Sequence, residues 1–144
     1  MYTGLQHLHH YVFFVAFGLV LFAFVRSLSG WLSKKHFAEG DLKLTLFTLI
    51  STHTQFTIGL VLYFFSPIVK TGMQDFGAAM SNASLRFFLV EHPLAMILAI
   101  LFTTLARSRA KKKSEGKSKY GSLTIFYLLA LSCLIAGVPW DRVL

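Results

Sequence analysis

The sequence predicts an all-α integral membrane protein: a bundle of four transmembrane helices, with both termini outside. Three observations lead there. Of the 144 residues, 55% are hydrophobic and only 14% are charged, where a soluble domain carries about 25% charged residues. The mean hydropathy is +0.62. The apolar residues fall into four blocks, at about 8–26, 44–65, 87–106 and 123–138, each close to the roughly 20 residues that about 30 Å of hydrocarbon requires. The basic residues are segregated between alternate blocks.

The first block, from Leu8 to Arg26, has no Lys or Arg ahead of it and no small-residue cleavage site behind it. It therefore reads as a retained anchor rather than a signal peptide. The connection that follows carries Arg26, Lys34, Lys35 and Lys43 against Glu39 and Asp41. The second block, Leu44 to Phe65, contains Thr45, Thr48, Ser51, Thr52, Thr54, Gln55 and Thr57. That polar series marks an interior or partner-contacting helix, because polar side chains in a span seek hydrogen bonds across helices.

Ser66-Pro67 ends the second span, since proline removes a donor and clashes with a continuing turn. From Lys70 to Ala83, the residues Met73, Phe76, Ala79, Met80 and Ala83 recur three or four apart among polar neighbours. This predicts a short amphipathic helix at the interface, about 70–83, with Asn82 or Ser84 capping the third span. That third span is framed by Arg86 and Arg107. The next connection carries Arg107, Arg109, Lys111, Lys112, Lys113, Lys117 and Lys119 against Glu115, a basic stretch suited to topology and anionic-lipid contact. The fourth span is short, and Pro139-Trp140 closes it with a side chain typical of the aromatic belt.

The two basic connections hold 11 of the 14 Lys and Arg residues, and only Lys70, Arg86 and Arg142 lie on the other side. The positive-inside rule then puts both basic loops in the cytoplasm and both termini outside. So placed, the net charge of +8 reports topology and lipid contact, not nucleic-acid binding. The single cysteine, Cys133, excludes an internal disulfide or paired-cysteine metal motif and reads as a small buried hydrophobe. No nucleophile–base constellation indicates a hydrolase. An electron carrier or accessory subunit fits better than a stand-alone enzyme.

Six histidines remain: His7, His9, His10, His36, His53 and His92. His36 belongs to a basic loop, and the other five lie at or inside the membrane. Several imidazoles facing a bundle interior, without thiols or an acid cluster, suit a b-type haem held by two histidines. Two axial imidazoles need roughly 12–14 Å between backbones, which fits diagonal helices better than neighbours about 8–10 Å apart. Spans one and three are diagonal in a sequentially connected bundle. The favoured pair is therefore His10 with His92 as iron ligands, and the second choice is His53 with His92. His7 or His9 replaces His10 if the first helix begins in another register. Pro93 kinks the third span beside His92. Arg86 and Lys70 lie on the side where haem propionates would emerge. Glu91, next to His92 but on another face, would pair with a histidine, move protons or line a quinone pocket.

With these residues placed, a resemblance can be stated. Leu5-Gln6-His7-Leu8-His9-His10-Tyr11, His53 with Gln55 ahead of the run from Gly59 to Pro67, Glu91-His92-Pro93-Leu94, the run Ile125 to Leu131, and Pro139-Trp140 together resemble a family of small bacterial four-helix membrane proteins. Its members are commonly labelled cytochrome b-like or uncharacterised. The likeness spans nearly the whole chain. It implies a multi-pass protein of the bacterial inner membrane that binds haem b and serves electron transport, with a quinone or another redox membrane protein as partner. The matching positions are His7, His9, His10, His53, Glu91 and His92. The chain departs from the pattern at Ala136-Gly137-Val138, where an arginine is more usual. Two readings from other classes stand beside it: a cofactor-free accessory or structural subunit of a larger membrane complex, and a small proton-coupled transporter using Glu91.

Overall fold

A computed structural model describes residues 1–112 and 116–144. Lys113, Ser114 and Glu115, at the centre of the basic stretch assigned to anionic lipid, lie outside the described residues. The described residues are almost all helical: α1 Tyr2–Leu32, α2 Glu39–Phe65, α3 Pro67–Gln74, α4 Phe76–Ser81, α5 Ala83–Arg86, a π turn over Phe87–Glu91, α6 His92–Lys112, α7 Gly116–Gly137 and α8 Trp140–Val143. Among the described residues, four helical stretches are long and apolar enough to cross a membrane: α1, α2, the continuous run Ala83–Lys112, and Lys119–Gly137. The protein is a helical bundle with the character of a multi-pass membrane protein.

α1 packs against α2 and α7, and α6 packs against the same two, so α1 and α6 are diagonal. The core between them sets small and medium residues, Val20, Ala23, Ala99, Ala106, Ala110, Leu123 and Ala130, around the buried Tyr127. In lipid no hydrophobic force drives helices together, so close approach of small residues and interhelical hydrogen bonds must do so. The inward face of α2 supplies the polar part. Thr45, Thr48, Thr52 and Gln55 are all buried at the three- and four-residue spacing of one helical face, and Thr52 Oγ1 meets Thr103 Oγ1 of α6 at 3.3 Å.

The turn between α1 and α2 is tightly made. Lys34 takes a positive φ of 52°, and the Lys35 N–H returns to the Gly30 carbonyl at 3.1 Å, the six-to-one bond that stops a helix. Asp41 then ties the elements together. Arg26 Nε donates to its Oδ1 at 2.8 Å. Its Oδ2 accepts from the Ala38 N–H at 3.0 Å and from the Tyr120 hydroxyl of α7 at 2.7 Å. Nearby, Arg107 of α6 donates to the Leu42 carbonyl at 3.0 Å and to Thr45 Oγ1 at 2.8 Å.

The segment expected as one amphipathic helix over about 70–83 is broken in two. Ser66 caps α3, with Pro67 in its first turn. Asp75 leaves the helical conformation and caps α4 through the Ala78 N–H. Asn82, one of the two predicted caps, accepts from the Leu85 N–H at 3.0 Å. An acidic cap residue in mid-segment favours the start of a new helix over continuation of the old one.

Candidate cofactor site

Pro93 shapes the site. A proline at that position cannot donate to the carbonyl four residues earlier, that of Leu89. The chain responds with a π turn, in which the His92 N–H bonds to the Phe87 carbonyl five residues back. Such single-turn π bulges are frequent at functional sites. The carbonyl that Pro93 leaves without a backbone donor is taken by another helix: Tyr63 of α2 donates its hydroxyl to Leu89 O at 3.0 Å. The same wide turn brings Arg86 and Glu91, five residues apart, onto one face, where they pair at 2.7 Å on the protein surface.

His92 is thereby aimed into the bundle. Its Nδ1 lies 2.6 Å from the Gly137 carbonyl at the end of α7, so Nδ1 carries the proton and donates it. Gly137 permits this approach, because a Cβ there would run into Ala95 and Met96 of α6. Across the bundle stands His9 of α1. The two imidazole centres are 6.5 Å apart, with ring planes at 76°. Gly59 of α2 accommodates the His9 ring, since a Cβ there would lie 2.9 Å from its Cε1. Gln55 holds His9 Nε2 at 3.3 Å, while His9 Nδ1 is buried without a hydrogen-bond partner.

His9 and His92 line a cavity of about 300 Å³, within the usual range for small-molecule sites. Its other walls are largely apolar: Phe13 and Phe17 from α1, Phe56 and Leu60 from α2, Met96 from α6 and Leu134 from α7.

The structure brings together a different pair from the one the sequence favoured. His10 does not meet His92. It lies one residue from His9, about 100° around the helix, and stacks edge-on against Tyr11 and Phe14. His7 is exposed. His53 does not face the interior either. It is exposed, and its Nδ1 bonds back to the Leu49 carbonyl at 2.9 Å. Glu91 is exposed and paired with Arg86, whose Nη1 also donates to the Met80 carbonyl. Neither belongs to the cavity wall. Lys70 lies over the Phe65 ring, while Arg142, not singled out from sequence, lies 4.6 Å above the Phe88 ring that flanks His92.

Sequence reasoning also missed Tyr63, Gly59 and Gly137 as site residues. The first two carried a signal. They continue the inward stripe Thr45, Thr48, Thr52, Gln55 by steps of four, and the same stripe excludes His53. Gly137 carried none, since its part is played by a backbone carbonyl.

No protein-family model matches the chain, and no curated protein and no solved structure is detectably similar to it.

The donor set suits a metal held by two imidazoles. Two imidazoles on one iron, with metal–nitrogen bonds of ~2 Å, place their ring centres roughly 6–6.5 Å apart, and His9 and His92 stand at 6.5 Å. Ligating histidines commonly have the other ring nitrogen bonded to protein. Gly137 does this for His92, which keeps Nε2 for a ligand. The Gln55 amide nitrogen lies against His9 Nε2 and its Oε1 is unpartnered; only with the amide turned over would Oε1 accept from Nε2–H and leave Nδ1 as a lone pair. Among the described residues no group of three or more His, Cys, Asp or Glu side chains gathers around one point; His9 and His92 are the two imidazoles that line the cavity.

Proposed function

We propose that this protein is a four-span protein of the bacterial inner membrane that binds one b-type haem between His9 and His92 and passes single electrons in a membrane redox chain. The resemblance to small cytochrome b-like proteins suggests the same. The observation that carries the reading is the diagonal pair of imidazoles, His9 and His92, which line one cavity with ring centres 6.5 Å apart, each with one nitrogen held by the protein; these two would hold the haem. The segregation of basic residues supports an orientation with both termini outside, which sets the site toward the outer leaflet.

When bound, haem supplies a one-electron iron couple, and its potential depends on axial ligands, burial and hydrogen bonding. The chain supplies the rest. The Gly137 carbonyl fixes the His92 ring and increases its basicity as a ligand. Gln55 and the bare backbone at Gly59 do the equivalent for His9. Phe13, Phe17, Met96 and Leu134 exclude water and keep the surroundings at low dielectric. Tyr63 secures the π turn that carries His92.

The transporter alternative gains no support from the cavity, whose lining does not include Glu91; that carboxylate pairs with Arg86 instead. The accessory-subunit alternative separates from the haem reading by one experiment. Protein purified in detergent after expression with ample haem should show a sharp α-band when reduced with dithionite. A flat spectrum from folded protein would overturn the haem reading and leave a cofactor-free subunit.

A further inference from the structure

On the side of α2 opposite its inward stripe lies a second polar feature. His53, Thr54 and Thr57 are all exposed, near the middle of the apolar block 44–65. His53 is nine residues from Leu44 and twelve from Phe65, about 14 Å and 18 Å along the helix at 1.5 Å per residue. With the four helices across a bilayer, these groups meet the hydrocarbon interior, where a polar atom finds no water to bond.

Their own helix satisfies these groups only in part. Thr57 Oγ1 donates to the His53 carbonyl at 2.9 Å. His53 Nδ1 lies 2.9 Å from the Leu49 carbonyl. A carbonyl only accepts, so Nδ1 carries the proton, and the neutral ring leaves Nε2 as a bare acceptor. Beside it, the Thr54 hydroxyl makes no hydrogen bond among the described residues and is free to donate. Elsewhere on the outer surface Thr104 and Ser132 are exposed too, but they donate to the Ile100 and Leu128 carbonyls of their own helices.

The residues around this donor and acceptor have the spacing of a helix–helix seam. Phe47, Ile50, Thr54, Thr57, Val61 and Phe64 recur at alternate steps of three and four, the heptad pattern of two helices wound around each other. Every one of them is exposed. At about 100° per residue they centre on the side of α2 that faces away from Thr45, Thr48, Thr52 and Gln55, so the bundle itself does not cover them. His53 flanks the seam. In a parallel pair of such helices, Thr54 enters a hole made by Ile50, His53, Thr54 and Thr57 of the second helix.

We infer that the outer face of α2 is a dimer interface whose occupant is a second copy of this chain, related by a two-fold axis along the membrane normal. That symmetry makes the same bond twice: Thr54 Oγ1 of each copy donates to His53 Nε2 of the other. A foreign helix would have to bring its own donor and acceptor in matching register, whereas a second copy brings both. In lipid, hydrogen bonds and close packing between helices are what drive them together. The inference adds an assembly to the four-span reading and does not depend on haem.

The test follows dimerisation by single-molecule photobleaching of fluorescently tagged protein in liposomes, over a range of protein-to-lipid ratios. Wild type should pass from one-step to two-step bleaching as the ratio rises. Thr54→Val keeps the side-chain shape and removes both bonds, and should raise the ratio at half-dimerisation about tenfold or more. Thr54 is exposed, so the variant should keep the wild-type melting temperature, which separates lost association from lost folding. Thr104→Val should change neither quantity. Thr54→Cys and Val61→Cys, each in a Cys133→Ser background, should give disulfide-linked dimers on mild oxidation, because seam positions approach themselves across a two-fold axis. Leu101→Cys, exposed on α6, should not. Wild type that stays monomeric at every ratio, Thr54→Val that dimerises as well as wild type, or cross-linking as efficient from Leu101→Cys overturns the inference. The absence of an α-band would remove the haem reading and leave this one standing.

Discussion

At the end of the bundle where α1 turns into α2, both oxygens of Asp41 are occupied: Arg26 takes one, and Tyr120 and the Ala38 N–H share the other. Arg107 closes a second link to Leu42 and Thr45. At the opposite end the polar groups are just as deep, but His9 Nδ1 and Gln55 Oε1 have no partners. A buried polar atom left unpaired costs about 1–3 kcal/mol. The Tyr127 hydroxyl is buried without a partner as well, so the cost is not confined to one end. What sets the histidine end apart is that its unpaired atoms belong to residues lining a cavity. The structural end and the functional end can therefore be told apart by which substitutions alter stability and which alter ligand binding.

The largest effect on stability should come from Asp41→Ala. Removing a 5%-exposed carboxylate strands Arg26, the Tyr120 hydroxyl and the Ala38 N–H together. A loss of about 2–4 kcal/mol is expected, at the lower part of the range for a buried pair because Arg26 is half exposed. Thermal unfolding in detergent would measure it, and the α-band of the protein that stays folded should keep its position. An unchanged melting temperature would contradict the structural assignment of this end.

Gly137→Ala tests the junction between the two behaviours. Its Cβ overlaps Ala95 and Met96, so overpacking of about 1–3 kcal/mol is expected. Unlike Asp41→Ala, it should also change the spectrum, because the Gly137 carbonyl orients His92. Lost stability with an unaltered haem spectrum would show that the carbonyl does not set the ligand.

The smallest effect is expected from Glu91→Gln. The pair with Arg86 is exposed on both sides, and such pairs contribute below ~1 kcal/mol. Melting temperature and spectrum should both stay close to wild type. A large loss of either would return Glu91 to the site.

Much of the bundle was readable in the sequence because hydropathy and charge segregation act at the scale of whole helices. Four long apolar helices and the diagonal placement of the first and third follow from apolar blocks joined in sequence. What the sequence could not resolve was rotation about a helix axis. α1 is apolar on nearly every face, with Tyr11, Phe14, Val15, Leu21 and Phe22 exposed and Phe13, Ala16 and Val20 buried. No polar stripe says which of His9 and His10 turns inward. On α2 such a stripe exists, and its spacing, followed strictly, turns Gln55 inward and His53 outward. The π turn was only partly readable. Pro93 announces a disturbed helix, but that Tyr63 would take the freed carbonyl, and that Arg86 would thereby meet Glu91, depends on neighbours the sequence does not place.

The most direct test of the account sets three proteins side by side: wild type, His9→Ala and His10→Ala, each purified with haem and reduced with dithionite. The expected result is a sharp α-band in wild type and in His10→Ala, and its loss in His9→Ala. A band that survives His9→Ala and disappears in His10→Ala would contradict the inward pair at the centre of this account.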